Sequence, residues 1–498
     1  MNLKKNIVTD KRLTIKEYVL VLLLSTFILI GIAYNLVALA VIPIALFIAF
    51  ILFIDLKLGY YLVALIIPFS INLPIPFLHI TLNVPLEPLL LILFIAMIYQ
   101  IAINGIDITY IKHPLSILFI LFCTFILLSS LFSTNILVSL RMCIQTFVYI
   151  IPAYWGIIFL SKNDKLFIRN LLILPLISFS IICFINFIRH GALHFDRAYA
   201  PSMANPFYSD HTIYATMAAL MIPMAFVFMT WYFGKNIYYF FSFLSILIVT
   251  FSGLILSYSR AGFISVLVAF GLYFFIRLKI SWWIVVVFIG FTLIYAVSNQ
   301  DNLLMFLKRN QTESKTRKTN LSNQVKSITN VNNDVSNLER INRWKSALRM
   351  IHERPFLGFG YGMYQYEYFP YQKESETTEI SIRNPQAKYA IGTGGTTHSE
   401  YLLLTSENGI LCGITYIALL VTSIVLSIKN IRNIPINHVY NYISIGIAMS
   451  ITTYIMHGFF NNFLDTSKIN VLFFVLLACI TSISVQNIPL GSKKSISI

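Results

Sequence analysis

Apolar runs close to the roughly 20 residues that carry an α-helix across a bilayer recur along almost the whole chain, separated by short polar turns. They predict helices near 18–34, 36–54, 58–73, 87–104, 114–132, 143–161, 167–188, 211–232, 237–257, 261–278, 282–298, 401–428, 440–457 and 469–485. The third and fourth are the weakest, because Pro68, Pro74, Pro76, Pro85 and Pro88 interrupt them. The runs are too long and too evenly apolar for barrel strands, and backbone amides in lipid must be satisfied within each segment. The expected fold is an all-α, polytopic transmembrane bundle of 12–14 spans. One long polar segment breaks the rhythm and divides the chain into 1–298, with spans one to eleven, a loop over 299–400, and 401–498, with the last three spans.

Composition agrees: 57% of the residues are hydrophobic and only 11% charged, which excludes a soluble globular class. The net charge of +16 resides largely in basic residues flanking the spans, so membrane lipids rather than nucleic acid are the expected contacts. Cys123, Cys143, Cys183, Cys412 and Cys479 lie in or beside apolar runs without a C-x-x-C spacing and read as small core residues. Lys4, Lys5, Lys11, Arg12 and Lys16 precede an apolar run that leads directly into another span, so a cleavable signal peptide is not expected.

Basic residues mark cytoplasmic turns. With the N-terminus inside, the turns carrying Lys57, Lys112, Lys162 with Lys165, Lys235, Arg277 with Lys279, Lys429 with Arg432, and the tail Lys493-Lys494 all fall inside. That alternation puts 299–400 on the outer face, a connection far longer than ordinary ones. Arg141, Arg189, Arg197 and Arg260 then break the rule by falling in short outer turns, and the long loop adds Arg340 and Arg343. Convergent guanidinium groups suit an anionic ligand, since each holds phosphate through paired hydrogen bonds without changing protonation; lipid headgroups are the plainer alternative. Arg260 sits in Ser257-Tyr258-Ser259-Arg260-Ala261-Gly262, a sharp turn ahead of a helix N-terminus that favours an anion. Arg197 precedes the Pro/Asn-rich return to span eight, where His211 reads more readily as a helix-start or packing histidine than as a catalyst.

Within the loop, residues 308–338 are rich in Asn, Ser, Thr and Lys and carry too few apolar residues to offset the entropy of ordering. Residues 337–354 predict an amphipathic helix with Ile341, Trp344, Leu348 and Ile351 on one stripe, ended by Arg354-Pro355. The glycine run Gly358-Phe359-Gly360-Tyr361-Gly362 has neither G-x-G-x-x-G spacing nor a P-loop lysine, and reads as a flexible or tightly turned lid. Tyr361, Tyr364, Tyr366, Tyr368, Phe369 and Tyr371 suit either stacking on sugar faces or an interfacial aromatic belt.

His398 stands where this loop becomes a membrane helix, with Glu400 and Glu407 following. An ionisable group at membrane depth costs a few kcal/mol on insertion scales, which makes each a functional candidate. At about 100° per residue, Leu402, Thr405, Gly409 and Cys412 share the face of His398, while Glu400 and Glu407 lie opposite. Glu407, about 13 Å deeper than His398 at about 1.5 Å per residue, is therefore expected to pair with a buried arginine or cap another helix. His398, at the aqueous mouth, fits a general base with an ordinary pKa near 6.5, or simply a helix cap.

These residues resemble the bacterial O-antigen ligase and polymerase-related membrane glycosyltransferases. The likeness rests on His398-Ser399 followed by Glu407 and Gly409, on the turn Ser257 to Gly262, on Arg343-Trp344 running to Pro355-Phe356-Leu357-Gly358-Phe359-Gly360, and on His457-Gly458-Phe459-Phe460-Asn461-Asn462. It covers most of the chain from about residue 115; Cys412 departs from it where a second glycine is usual, although Gly413 follows. The resemblance implies a GT-C-like bundle in the bacterial cytoplasmic membrane, with its active site on the outer face. There a polyprenyl-diphosphate-linked oligosaccharide would pass to a hydroxyl of a lipid A core or of another lipid-linked glycan. It implies that arginines such as Arg141, Arg197 and Arg260, with Arg340 and Arg343, hold the diphosphate. His398 would activate the acceptor with inversion, and Glu400, Glu407 and His211 would be possible contributors. No Asp-x-Asp pair occurs, so neither a metal nor another cofactor is expected. Protein-directed transfer by the same family, a lipid-linked saccharide transporter, and an acyltransferase are alternatives; no internal repeat supports the transporter.

Overall fold

In the computed structural model of the chain, residues 55–75, 80–162, 166–279, 335–376 and 395–486 are described, with Leu52, Asp164 and Ser298. The expected spans 18–34, 36–54 and 282–298, apart from Leu52 and Ser298, and the Asn/Ser-rich stretch up to residue 334 lie outside the described residues. The chain divides into Met1–Gly59 and Tyr60–Ile498, and everything that builds the site belongs to the second unit.

The long helices are α1 (Leu56–Ile66), α2 (Leu86–Asn104), α3 (Pro114–Leu131), α4 (Ile136–Ser161), α5 (Phe167–Gly191), α6 (His211–Tyr232), α7 (Ile237–Leu256) and α8 (Arg260–Arg277). They continue with α9 (Val335–Glu353), α10 (Glu400–Asn433), α11 (Val439–Gly458) and α12 (Ser467–Val485). Nine of them are long and apolar enough to cross a membrane among the described residues: α2 to α8, α10 and α12. The protein is a multi-pass membrane protein with an all-α bundle, as its apolar pattern indicates. α12 is almost wholly buried and forms the centre, whereas α7 and α8 leave most of their apolar surface facing outward. α6 packs on α7 and α11, and α10 packs on α3, α11 and α9.

Side-chain caps open several of these helices. Asn135, Asp210, Asn236 and Ser259 each accept a backbone N–H from the first turn, removing an orphan donor. The cap at Asn135 starts α4 seven residues earlier than expected, so Arg141 lies within a helix rather than in an outer turn. Arg189 likewise falls in the last turn of α5, where its guanidinium donates to the carbonyls of Met203 and Asn205. The expected helix 58–73 is also corrected. α1 stops at Ile66, and the proline-rich stretch forms an antiparallel hairpin, β1 (Ile71–Ile75) with β2 (Ile80–Val84), pairing Leu73 with Leu82. The prolines withhold the donors a helix needs, while a two-stranded edge tolerates them.

The two sets of turns distinguished by their basic residues fall at opposite ends of the bundle. At one end Lys162 meets Asp107 at 3.2 Å, Gln486 donates to Ser161, and Asn430 bonds Ser484. At the other, Thr134 N–H donates to Phe359 O, Tyr258 Oη to Phe195 O, and Thr396 Oγ1 to Asn462 Oδ1. Lys468, at the start of α12, donates to the carbonyls of Pro68, Ser70 and Phe207 at 3.1, 2.6 and 2.5 Å and so ties two further connections to this end.

Candidate functional site

α10 is not one continuous rod. Gly409 breaks it with φ 83° and ψ 169°, a backbone state reserved in practice for glycine. Across the break runs the segment after α9, now seen to be a strap rather than a free lid. Ile410 N–H donates to Pro355 O at 2.7 Å, Phe359 N–H to Ser406 O, and Gly360 N–H to Glu407 O at 2.8 Å. The carbonyls and amides released by the break are thereby re-satisfied from the loop, as buried backbone at membrane depth requires. A Cβ on Gly409 would lie 1.9 Å from Phe356 O, and one on Gly358 2.3 Å from Glu407 O, so the two backbones touch where neither residue has a side chain. Ser129 Oγ of α3 donates to the same Glu407 carbonyl at 2.7 Å.

Glu407 points back at this strap. Its Oε1 accepts Tyr364 N–H at 3.0 Å, and the Gly362 amide also donates to it. It therefore caps the short helix Tyr364–Glu367. Tyr364 is buried, and its hydroxyl donates to the main-chain oxygen of Arg343 at 3.0 Å. Arg343, on α9, donates through Nε to Glu339 Oε1 at 2.8 Å and through Nη1 to Thr396 O at 3.1 Å, with its guanidinium 5.0 Å from the centre of the Tyr368 ring. The strap, α9 and the loop before α10 thus form one connected scaffold.

His398 sits in that loop with φ 53°, half-buried, two residues before α10 begins at Glu400. The helical phase expected for it does not apply, because the residue is not helical and the wheel ends again at Gly409. Burial first, then the positive charges of Arg343 and Arg340, push its imidazole down to about 4, against an opposing hydrogen bond with Asn461. That bond stabilises the protonated ring, so Asn461 accepts from an imidazole N–H and orients it. At neutral pH His398 is unprotonated, as a proton acceptor must be.

Beside it opens a cavity of about 100 Å³ lined in part by Thr396, Tyr361, Tyr364, Glu400, Glu407 and Asp465. Glu400 Oε2 accepts from Phe463 N–H, Leu464 N–H and Tyr454 Oη at 2.6, 3.1 and 3.2 Å, which holds the turn between α11 and α12 over the start of α10. Asp465 in that turn accepts from Asn462 Nδ2 at 2.7 Å, and Asn462 in turn accepts from Thr396. It presents surface to the cavity yet lies deep among protein groups, and this desolvation raises its carboxyl to about 6. No group of three metal-ligating side chains converges among the described residues.

The remaining candidates are distributed around this centre. Arg340 and Arg343 are brought to His398. Arg141 is exposed on α4, one residue before Met142, which lines the cavity. Arg197 lies 5.8 Å from the Tyr258 ring, so it and Arg260, at the start of α8, share the Ser257 to Gly262 turn. A Cβ on Gly262 would be 3.5 Å from His457 Nε2, and Asn461 N–H donates to His457 O. The turn after α11 therefore links this second cluster to His398. His211 opens α6 with Nδ1 3.3 Å from Asp210, the cap of its own helix, which places it with the helix start. The sequence does not single out Asn461 or Asp465 for the site, although Asn461 stands within the quoted His457 to Asn462 motif and Asp465 is a lone acid between two apolar spans; Tyr364 belongs to the expected aromatic cluster, but its contacts with Glu407 and Arg343 were not expected.

Residues 245–417 match a family model described as O-Antigen ligase. No curated protein matches the chain. The matched stretch contains the Arg260 turn, α9, the strap, His398 and the break at Gly409, the elements whose geometry is set out above. Residues 245–417 thus match an O-Antigen ligase domain, carried by a chain that is a multi-pass membrane protein.

Proposed function

We propose that the protein transfers an oligosaccharide from a polyprenyl diphosphate to an acceptor hydroxyl, as a ligase onto a lipid A core or as a polymerase onto another lipid-linked glycan. The match of residues 245–417 to the O-Antigen ligase model supports a role in surface polysaccharide assembly. The observation that carries the finer reading is the placement of an unprotonated His398 between Asn461 and the paired charges of Arg340 and Arg343, in the chain between Thr396 and Glu400, which line a cavity.

In this reading the free ring nitrogen of His398 takes the acceptor's hydroxyl proton as the oxygen attacks the anomeric carbon. The bond from that carbon to the diphosphate breaks on the opposite side, inverting the centre. The leaving diphosphate keeps the electron pair, and Arg340 and Arg343, with Arg197, Arg260 and Arg141 around them, stabilise the growing charge. A bound diphosphate would also offset the arginine charge felt by His398 and make it a stronger base when donor is present. The reaction would take place on the outer face of the cytoplasmic membrane.

Membranes carrying the protein, supplied with a lipid-linked repeat unit and either acceptor, test this. His398→Ala is expected to lower transfer by about 10² to 10⁴-fold, the usual worth of a general base, with donor binding retained. Unchanged transfer by this variant would remove His398 from the chemistry, and absence of transfer by the wild type to either acceptor would remove the reaction itself.

A further inference from the structure

α9 is folded inside out for a helix in a water-exposed loop. Its inward face carries Glu339, Asn342, Arg343 and Ser346, with Ala347 and Met350 beside them. The stripe of Ile341, Trp344, Leu348 and Ile351 instead lies half-exposed or exposed, with Leu348 56% accessible. Just beyond the helix Phe356 is 75% accessible. A soluble amphipathic helix buries such a stripe; one that presents it outward has an apolar phase on that side.

The level of this face identifies the phase. Pro355 O receives Ile410 N–H, so Phe356 stands beside Ile410 of α10, ten residues after the helix begins at Glu400. Ser129, two residues from the end of the span α3, bonds Glu407 O. The strap is therefore level with the end of a transmembrane helix, and the outward face of α10 just beneath it, Ile410, Leu411 and Ile414, is exposed and wholly apolar. The exposed Phe356 therefore adjoins that outward apolar surface, and Leu348 is exposed on the helix that leads into it. Around it Lys345 and Arg354 are exposed with the acid Glu353, while Arg349 is paired inward with Glu376, leaving basic side chains at the rim of the apolar face suited to the phosphates of a leaflet.

We infer that α9 is an interfacial helix whose Leu348 and Phe356 side chains insert into the outer part of the bilayer, so that phospholipid covers the face the protein leaves open. Its inward face is the one that carries Arg343, so the membrane contact sets the height of the arginine beside His398. The inference does not depend on which reaction the site performs.

The full-length protein with Cys123→Ser, carrying a nitroxide at Leu348→Cys, Phe356→Cys or Lys373→Cys and placed in nanodiscs of phosphatidylethanolamine and phosphatidylglycerol, tests it. Collisions with oxygen report lipid, and collisions with a soluble nickel chelate report water. The oxygen-to-nickel ratio is expected to be several-fold higher at the Leu348 and Phe356 sites than at Lys373, an exposed loop position. A nickel-dominated signal at the Leu348 site, or low access to both reagents there because another protein surface covers it, would overturn the inference.

Discussion

Glu407 Oε1 accepts the backbone N–H of Tyr364 at 3.0 Å, so the deepest acid on α10 serves as the cap of a helical turn contributed by the loop. The same tyrosine holds the backbone of Arg343 through its hydroxyl. A carboxylate inside the bundle thereby determines where a guanidinium outside it stands. Glu407→Gln keeps an acceptor oxygen and is expected to leave thermal stability near the wild type. Glu407→Ala leaves two buried donors unmatched and should cost about 1–3 kcal/mol, read as a lowered melting temperature of the purified protein. Equal behaviour of the two variants would count against the capping role.

Gly409→Ala is expected to damage the protein more than any other small substitution on α10. The alanine would have to adopt φ 83° and place its Cβ 1.9 Å from a main-chain oxygen. The backbone strain alone is about 1–3 kcal/mol, before any displacement of the strap. Gly271→Ala on α8, where a Cβ meets nothing within 4 Å, is the control and should be neutral or gain up to about 1 kcal/mol from helix propensity. Comparing the two melting temperatures separates the specific effect from the general one.

The depressed pKa of His398 fixes the sign of its pH dependence. Because the imidazole in the folded protein titrates near 4 rather than near 6.5, its neutral form dominates at every pH well above 4. In kcat/KM, which reports the free enzyme, the acid limb due to His398 is expected close to 4. In kcat the limb should move upward if, as proposed, a bound diphosphate offsets Arg340 and Arg343. Arg340→Gln should raise the free-enzyme limb in the same direction. A limb in kcat/KM that stays near 6.5 would show that neither burial nor the arginines depress His398, and a limb unmoved by Arg340→Gln would show that this arginine does not act on it.

Arg343→Lys is not expected to be conservative. An ammonium cannot at once reach Glu339 Oε1, the Thr396 carbonyl and the Tyr368 face as the planar guanidinium does. Loss of one or two charge-assisted bonds, at about 1.5–3 kcal/mol each, predicts at least a tenfold fall in kcat/KM for lipid-linked donor while net charge is unchanged. Activity equal to the wild type would show that charge alone suffices at this position.

The spans were legible because lipid imposes a composition that any long enough apolar run reveals, and the capping residues Asn135, Asp210 and Ser259 stand in the sequence ahead of their helices. His398 and Glu407 were legible as ionisable groups at or near membrane depth, Arg340 and Arg343 as arginines of the outer loop, and of the two partners expected for Glu407, a buried arginine or another helix to cap, the observed contact with Tyr364 is the second. What remained hidden is tertiary. Periodicity runs smoothly through Gly409, so nothing local announces that the helix breaks there; the break exists because a distant glycine strap takes up its hydrogen bonds. The stripe on α9 was visible, but whether it faces protein or lipid depends on the ion pairs of Arg343 and Arg349 with Glu339 and Glu376 that draw the polar side inward. Asp465 and Asn461 lie two long helices away from His398 in the chain and join it only through the return of α11.

The bond from Ser129 to Glu407 O closes a separation of 278 residues. At a synthesis rate of about 5–20 residues per second, Ser129 waits roughly 14 to 56 s in the membrane before its acceptor is made. α3 and the Gly358–Gly362 strap both precede α10 on the ribosome, so the last of the three to arrive is the one that must break. The bend at Gly409 is therefore formed against partners already delivered to the bilayer, and a truncated chain that ends before residue 400 would present the strap with nothing to close upon.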